Sequence, residues 1–98
     1  MTNIALVDDE ESILTSVSLS LESEGFSVDT FINGEEALIA LKSKSYDLGL
    51  FDIKMPKMDG NELLSKVRAS KDIKLKELPI IFLTSKDHEQ DEIIGLRM

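Results

Sequence analysis

A chain of 98 residues makes one domain at most and buries a modest core. Its hydrophobic share of 42% and charged share of 31% are ordinary for a globular protein, and no apolar run approaches the ~20 residues of a membrane span. No cysteine is present, which excludes disulfides and thiolate chemistry and leaves carboxylates with one histidine as the strong side-chain ligands, so any metal is expected to be a hard cation. The net charge of -8 repels nucleic-acid phosphates, so direct nucleic-acid binding by this segment is not expected without a basic partner domain.

The first residues, Met1 to Val7, lack a basic start and a small-residue cleavage site. No signal peptide is indicated, and a cytoplasmic location is the default expectation. Four short apolar runs rich in β-branched residues follow one another: Ile4 to Val7, Phe26 to Phe31, Leu48 to Phe51 and Ile80 to Leu83. They read as strands. All but the second are almost continuously apolar, the pattern of a parallel sheet covered on both faces.

Helical spacing fills the gaps. Ile13, Leu14, Val17 and Leu21 make the inner face of a first helix, with Glu10 and Glu11 in its first turn and Gly25 placed to end it. Asn33 is placed to cap a second helix with Glu36 as its reciprocal partner, and Ala37, Leu38 and Leu41 point inward until Ser43 to Ser45. A third helix carries Leu63, Leu64 and Val67 after the Asp59-Gly60 turn. Lys71, Lys74 and Lys76 then read as a solvated loop leading to Pro79. A fourth helix is predicted from Asp87, with Gln90 at the capping-box position and Ile93 and Ile94 on its inner face. Strand and helix alternating four times predict an open, doubly wound α/β domain with right-handed crossovers.

In such sheets the chemistry lies beyond the carboxyl ends of the strands, where strand order reverses. Asp8 and Asp9 follow the first strand, Asp52 the third, and Thr84 and Ser85 the fourth. Two carboxylates about 5 Å apart repel by roughly 3 kcal/mol at an effective dielectric near 20, so a cluster of three calls for a proton or a cation. Oxygen-only ligation with positions left open for water and phosphate describes Mg²⁺. With such an ion beside it, Asp52 is the best nucleophile for a phosphoryl group, and the Thr84 hydroxyl is placed to donate a hydrogen bond to it. Read in isolation, Asp8-Asp9 is a helix-capping pair, Asp52 a turn residue and Ser85 a strand-end residue. Asp59-Gly60 is expected to be structural, the glycine supplying the turn and the aspartate capping the third helix; His88 is expected to be a solvated surface residue, and Met55 and Met58 either loop packing or adaptable partner contacts.

Three segments together resemble the response-regulator receiver family, to which CheY-like and OmpR-like proteins belong: Val7-Asp8-Asp9-Glu10, Phe51-Asp52-Ile53-Lys54-Met55-Pro56-Lys57-Met58-Asp59-Gly60, and Leu83-Thr84-Ser85. The resemblance covers the whole chain, and Lys54-Met55-Pro56 with Ser85-Lys86-Asp87 is similar to the OmpR-type transcription regulators. It implies a flavodoxin-like receiver over residues 1–98, phosphorylated on Asp52 by a sensor histidine kinase in two-component signalling, with autodephosphorylation and a transcriptional output domain. It further implies that Asp9, Asp52 and the backbone carbonyl of Lys54 bind Mg²⁺, that Asp8 acts through a coordinated water, and that Thr84 contacts the phosphoryl group.

The family's fifth strand, with its lysine and following proline, and its fifth helix have no counterpart here; neither Lys54 nor Lys86 occupies that lysine's position. The chain therefore reads as a receiver cut short before them, with the fourth strand an open edge and dimerisation or domain exchange expected. Two other function classes fit parts of the pattern. A small aspartate-nucleophile phosphatase would use the same metal cluster but wants an acid two residues after the nucleophile, where Lys54 stands. A phosphorylation-independent interaction module would bind partners without regard to Mg²⁺.

Overall fold

The computed structural model describes residues 1–83 together with the backbone of the strand Ile93–Arg97. The elements in chain order are β1 (Asn3–Val7), α1 (Glu11–Ser23), β2 (Ser27–Phe31), α2 (Gly34–Ser43), β3 (Leu48–Asp52), α3 (Gly60–Arg68), α4 (Ile73–Lys76), β4 (Ile80–Leu83) and β5 (Ile93–Arg97). The sheet runs β2-β1-β3-β4-β5. Its first four strands are mutually parallel, and β5 pairs antiparallel with β4. The expected doubly wound parallel sheet is present.

Alternation along each strand divides the core in two. Ala5 and Val7 of β1, Phe51 of β3, and Ile80 and Phe82 of β4 face one side, where Ala37, Leu41, Leu63 and Val67 of α2 and α3 cover them. Ile4, Leu6, Leu50, Ile81 and Leu83 face the other, against Leu14, Val17 and Leu21 of α1. Strands buried on both faces leave no polar position before their ends. Charge on β1 and β3 is therefore forced to the sheet's edge.

The helix ends follow from local chemistry. Gly25 takes φ +97, which an L side chain adopts only with strain. There its N–H donates to the Glu22 carbonyl while Phe26 N–H donates to Leu21, a Schellman closure that brings Phe26 and Leu21 into one apolar cluster. Asn33 Oδ1 accepts from Glu36 N–H at 2.8 Å, and Asp59 Oδ1 accepts from Glu62 N–H at 2.8 Å. These are the caps the sequence predicts for the second and third helices.

Two expectations are corrected. The lysine-rich connection is not merely a solvated loop: Asp72 caps the short α4, and Leu75 and Leu78 are buried. Arg68 ties the segment down by donating to the Lys76 and Leu78 carbonyls at 2.9 and 2.7 Å. Ile93 and Ile94, predicted on the inner face of a helix, lie in β5 instead. β-Branched residues beside Gly95 favour a strand, and pairing with β4 satisfies ladder groups that would otherwise face outward. The expectation of an open β4 edge, and of association through it, loses its premise. Asp87 and Gln90, proposed to start that helix, lie outside the described residues.

On the α2 face, Tyr46 is buried with its hydroxyl donating to Asp29 Oδ2 at 2.7 Å, and Lys44 Nζ stands 2.9 Å from the same oxygen. Phe31 packs edge-on to the Tyr46 ring, 6.5 Å between centroids. The bonds from Lys44 and Tyr46 hold the Asp29 carboxyl below its ordinary range. Burial, reinforced by the Asp29 charge, pushes the Tyr46 phenol up. Folding raises the Tyr46 pKa, so its stabilisation is complete below the unfolded value near 10 and is lost as pH rises through the folded one. Tyr46 is the only tyrosine, so tyrosinate absorbance reads this group alone. We predict that the band appears well above pH ~10 in the native protein and together with unfolding. A reversible titration near 10 without loss of helical circular dichroism would contradict it.

Candidate functional site

Three carboxylates meet where β1 and β3 end. The two strands pair in parallel with Val7 opposite Phe51, so Asp8, the next residue after Val7, and Asp52, the last of β3, leave the sheet side by side. One carboxylate oxygen from each of Asp8, Asp9 and Asp52 lies within 4.8 Å of the others. Asp52 is 0% exposed and Asp8 2%, while Asp9 is half-buried. Among the described residues this is the one group of three or more His, Cys, Asp or Glu side chains gathered closely enough to hold a metal.

Sheet order explains the location. From β1 the chain moves outward to β2, then returns across β1 to β3 on its other side, so the crossovers diverge between β1 and β3. That divergence opens the crevice in which doubly wound sheets hold ligands. Asp8 Oδ1 accepts from Glu10 N–H at 2.9 Å, an Asx-type turn that fixes the carboxylate, and Asp8 N–H donates to the Phe31 carbonyl at 3.1 Å. Asp8 is not the cap of α1: the N-cap position belongs to Glu10, which makes no side-chain cap bond, and the Asp8 carboxylate instead fixes the turn that leads into the helix.

Beyond β3 the loop makes a tight reversal. Met58 N–H donates to the Pro56 carbonyl at 2.7 Å, a γ-turn whose central residue, Lys57, takes φ 68. Positive φ at a lysine carries steric cost, and that cost is borne in the loop that leads from Asp52 to α3. Met55 and Met58 are buried, so of the two roles considered for them loop packing is the one the structure shows. Lys54 is exposed in this loop, two residues past Asp52. Thr84, Ser85, Lys86 and His88 lie outside the described residues.

Gly60 has a role that its place in a turn sequence does not reveal. It is helical, without positive φ, and its N–H donates to the Ile53 carbonyl at 2.9 Å. A Cβ there would overlap the Asp52 carbonyl oxygen and lie 3.0 Å from Phe82 Cε1. Glycine thus lets the start of α3 press against the strand end that carries Asp52. The sequence signal was the Asp59-Gly60 pair, but only the packing distinguishes turn geometry from close approach.

The fold and the acidic cleft define a receiver-type α/β domain. Residues 4–98 match the model of the response regulator receiver domain, and the chain belongs to that family. It is 41% identical over 95 residues to the alkaline phosphatase synthesis transcriptional regulatory protein PhoP of Bacillus subtilis, covering 97% of this chain and 38% of that protein. The phosphate regulon transcriptional regulatory protein PhoB of Rhizobium meliloti is 38% identical over 96 residues, covering 98% of this chain and 41% of its own length. The chain thus spans about two fifths of these curated relatives. Among solved structures, the response regulator TrrA of Thermotoga maritima, crystallised in complex with Mg²⁺–BeF, superposes with a TM-score of 0.80 at 40% identity, covering 92% of this chain and 75% of that one. TrrA in complex with the histidine kinase ThkA gives 0.78 at 39%, covering 94% and 76%. The chain is therefore a receiver domain homologous to transcriptional response regulators of two-component systems. No helix among the described residues is long and apolar enough to cross a membrane.

The close approach at Gly60 yields a measurable expectation. Gly60→Ala lowers stability by about 1–3 kcal/mol, the range for forcing one extra carbon into a packed site. Urea denaturation reads it directly, and a variant as stable as the parent would show that β3 and α3 are not pressed together.

Proposed function

We propose that residues 1–98 form a phosphoacceptor domain that takes a phosphoryl group on Asp52 in an Mg²⁺-dependent reaction and relays it as a two-component signal. The observation that carries this reading is the convergence of Asp8, Asp9 and Asp52 within 4.8 Å, two of them buried. Like charges at that spacing repel by roughly 3 kcal/mol per pair at an effective dielectric near 20. An all-oxygen donor set of this size and charge fits a small hard dication, and the family typically binds Mg²⁺.

In this proposal Asp9, Asp52 and the Lys54 backbone carbonyl would hold the ion directly, and Asp8 would act through a coordinated water. When bound, the ion neutralises charge on the phosphoryl oxygens. Asp52, fixed at the end of a strand buried on both faces, presents a carboxylate oxygen to the phosphorus. A bond from that oxygen to phosphorus forms as the bond from phosphorus to the donor's nitrogen or oxygen breaks, and the donor leaves with the electron pair. Asp8 keeps its orientation through the Asx turn at Glu10 N–H. Thr84 donates a hydrogen bond to the phosphoryl group.

The donor is a sensor histidine kinase, by analogy with the complex between ThkA and TrrA. The output is transcriptional, through a further domain of the full-length protein, by analogy with the regulators named above.

Acetyl phosphate with Mg²⁺ tests the acceptor. Intact-mass analysis should show one labile phosphoryl adduct that Asp52→Asn abolishes; an undiminished adduct in that variant would remove Asp52 from the role. Metal linkage is tested separately. Mg²⁺ at ten times its Kd should raise stability by about 1.4 kcal/mol. Asp9→Asn should lose that gain while being at least about 1 kcal/mol more stable than the parent without metal, because its repulsions with both Asp8 and Asp52 are relieved. An equal response to Mg²⁺ in both proteins would exclude Asp9 as a ligand.

A further inference from the structure

At the sheet edge opposite the carboxylates, the C-terminal ends of α2 and α3 and the short α4 enclose a groove. Its larger part holds about 500 Å³ over an apolar floor of Leu38, Ala69 and Leu75, with Lys42, Lys66 and Lys71 around it. A recess of about 110 Å³ adjoins it through Lys42, Asp72 and Leu75 and adds Lys44 and Lys74. All five lysines are exposed. No Lys or Arg precedes Lys42 in the sequence, so the cations of an acidic chain are all gathered from residue 42 onward, and this groove takes a large share of them.

Part of the cluster has a structural explanation. Lys42 and Lys66 occupy the last turns of α2 and α3, where each faces about half a negative charge. Lys44 is paired with Asp29, and Asp72 sits within the groove with Oδ1 accepting from Lys74 N–H. Lys74 also shares a neighbouring pocket with Asp47 and Glu77, so the recess is close to neutral. In the larger part, one carboxylate, Asp72, and two helix ends do not cancel the three ammonium groups of Lys42, Lys66 and Lys71. A positive excess remains above an apolar floor. At physiological salt the Debye length is about 8 Å, so the carboxylates of the distant cleft are screened and the local sign decides what approaches.

We propose that this groove docks an acidic peptide segment of a partner protein, its carboxylates against the lysine rim and one or two apolar side chains on Leu38, Ala69 and Leu75. A nucleic-acid backbone or free phosphate would satisfy the lysines and leave the apolar floor wet, whereas an acidic amphipathic segment satisfies both. The groove shares no residue with the carboxylate cleft and does not depend on Asp52 being phosphorylated.

The test uses the whole chain, ¹⁵N-labelled, titrated with a short peptide of glutamates carrying leucines at helical spacing. Binding should shift the amides of Leu38, Ala69, Ser70 and Leu75, saturate, and weaken with added salt. Lys66→Glu with Lys71→Glu should weaken it at least about tenfold. Both positions are exposed, and Lys66→Gln with Lys71→Gln should give a smaller loss in the same direction. A glutamate-only peptide should bind more weakly, since the floor contributes nothing to it. The proposal is overturned by absence of saturable shifts, by shifts centred on α1, by equal binding of the glutamate-only peptide, or by a DNA duplex that displaces the peptide at comparable concentration.

Discussion

Everything at the functional end of this domain depends on one register. Val7 opposite Phe51 puts the ends of two adjacent parallel strands level with each other, so the acidic residues at those ends share one small volume. A shift of one residue would turn every side chain of a strand to the other face and bury charge in the core. The two apolar layers therefore hold the register, and the register holds the carboxylates. Core packing is here the direct cause of site geometry.

The same edge collects the other costs of the structure. Asp8 and Asp52 are buried acids. Lys57 holds positive φ in the loop that follows, and Gly60 admits a helix start against the Asp52 carbonyl where any other residue would collide. Departures from local preference gathered at one place are expected where a chain trades stability for chemistry. Caps, the Schellman closure and buried aliphatic layers elsewhere follow ordinary preference and offset these costs.

How much of this was legible depends on how local each signal was. The four parallel strands, the first three helices, and the caps at Asn33 and Asp59 rest on periodicity and on residues three positions apart, and they lie where the sequence put them. The gathering of Asp8, Asp9 and Asp52 was also legible, because parallel strands and a fixed crossover hand leave few ways to arrange the ends. Features decided by distant partners were hidden. Leu75 and Leu78 sit among lysines and glutamate, so charge masked a buried turn. Arg68 reaches carbonyls eight and ten residues ahead, which no spacing rule announces. Ile93 and Ile94 are apolar enough for a helix face or a strand, and their pairing with β4 decides between the two.

Charge is distributed with the same directional logic. In a parallel sheet every crossover helix runs opposite to the strands, so helix N-termini crowd the carboxylate edge and helix C-termini crowd the other. Partial positive charge from the amide ends of α1, α2 and α3 thus favours acidic residues at the cleft, and partial negative charge at the carbonyl ends favours lysines at the groove. Fold polarity alone would produce mild segregation. The degree seen here exceeds it: no cation precedes Lys42, and Lys42, Lys66 and Lys71 rim a groove that holds one carboxylate, Asp72. Half-charges at helix ends account for the direction of that asymmetry and fall short of its size. The excess at the lysine end is thus a surface property of its own, separable from whatever the acidic cleft binds.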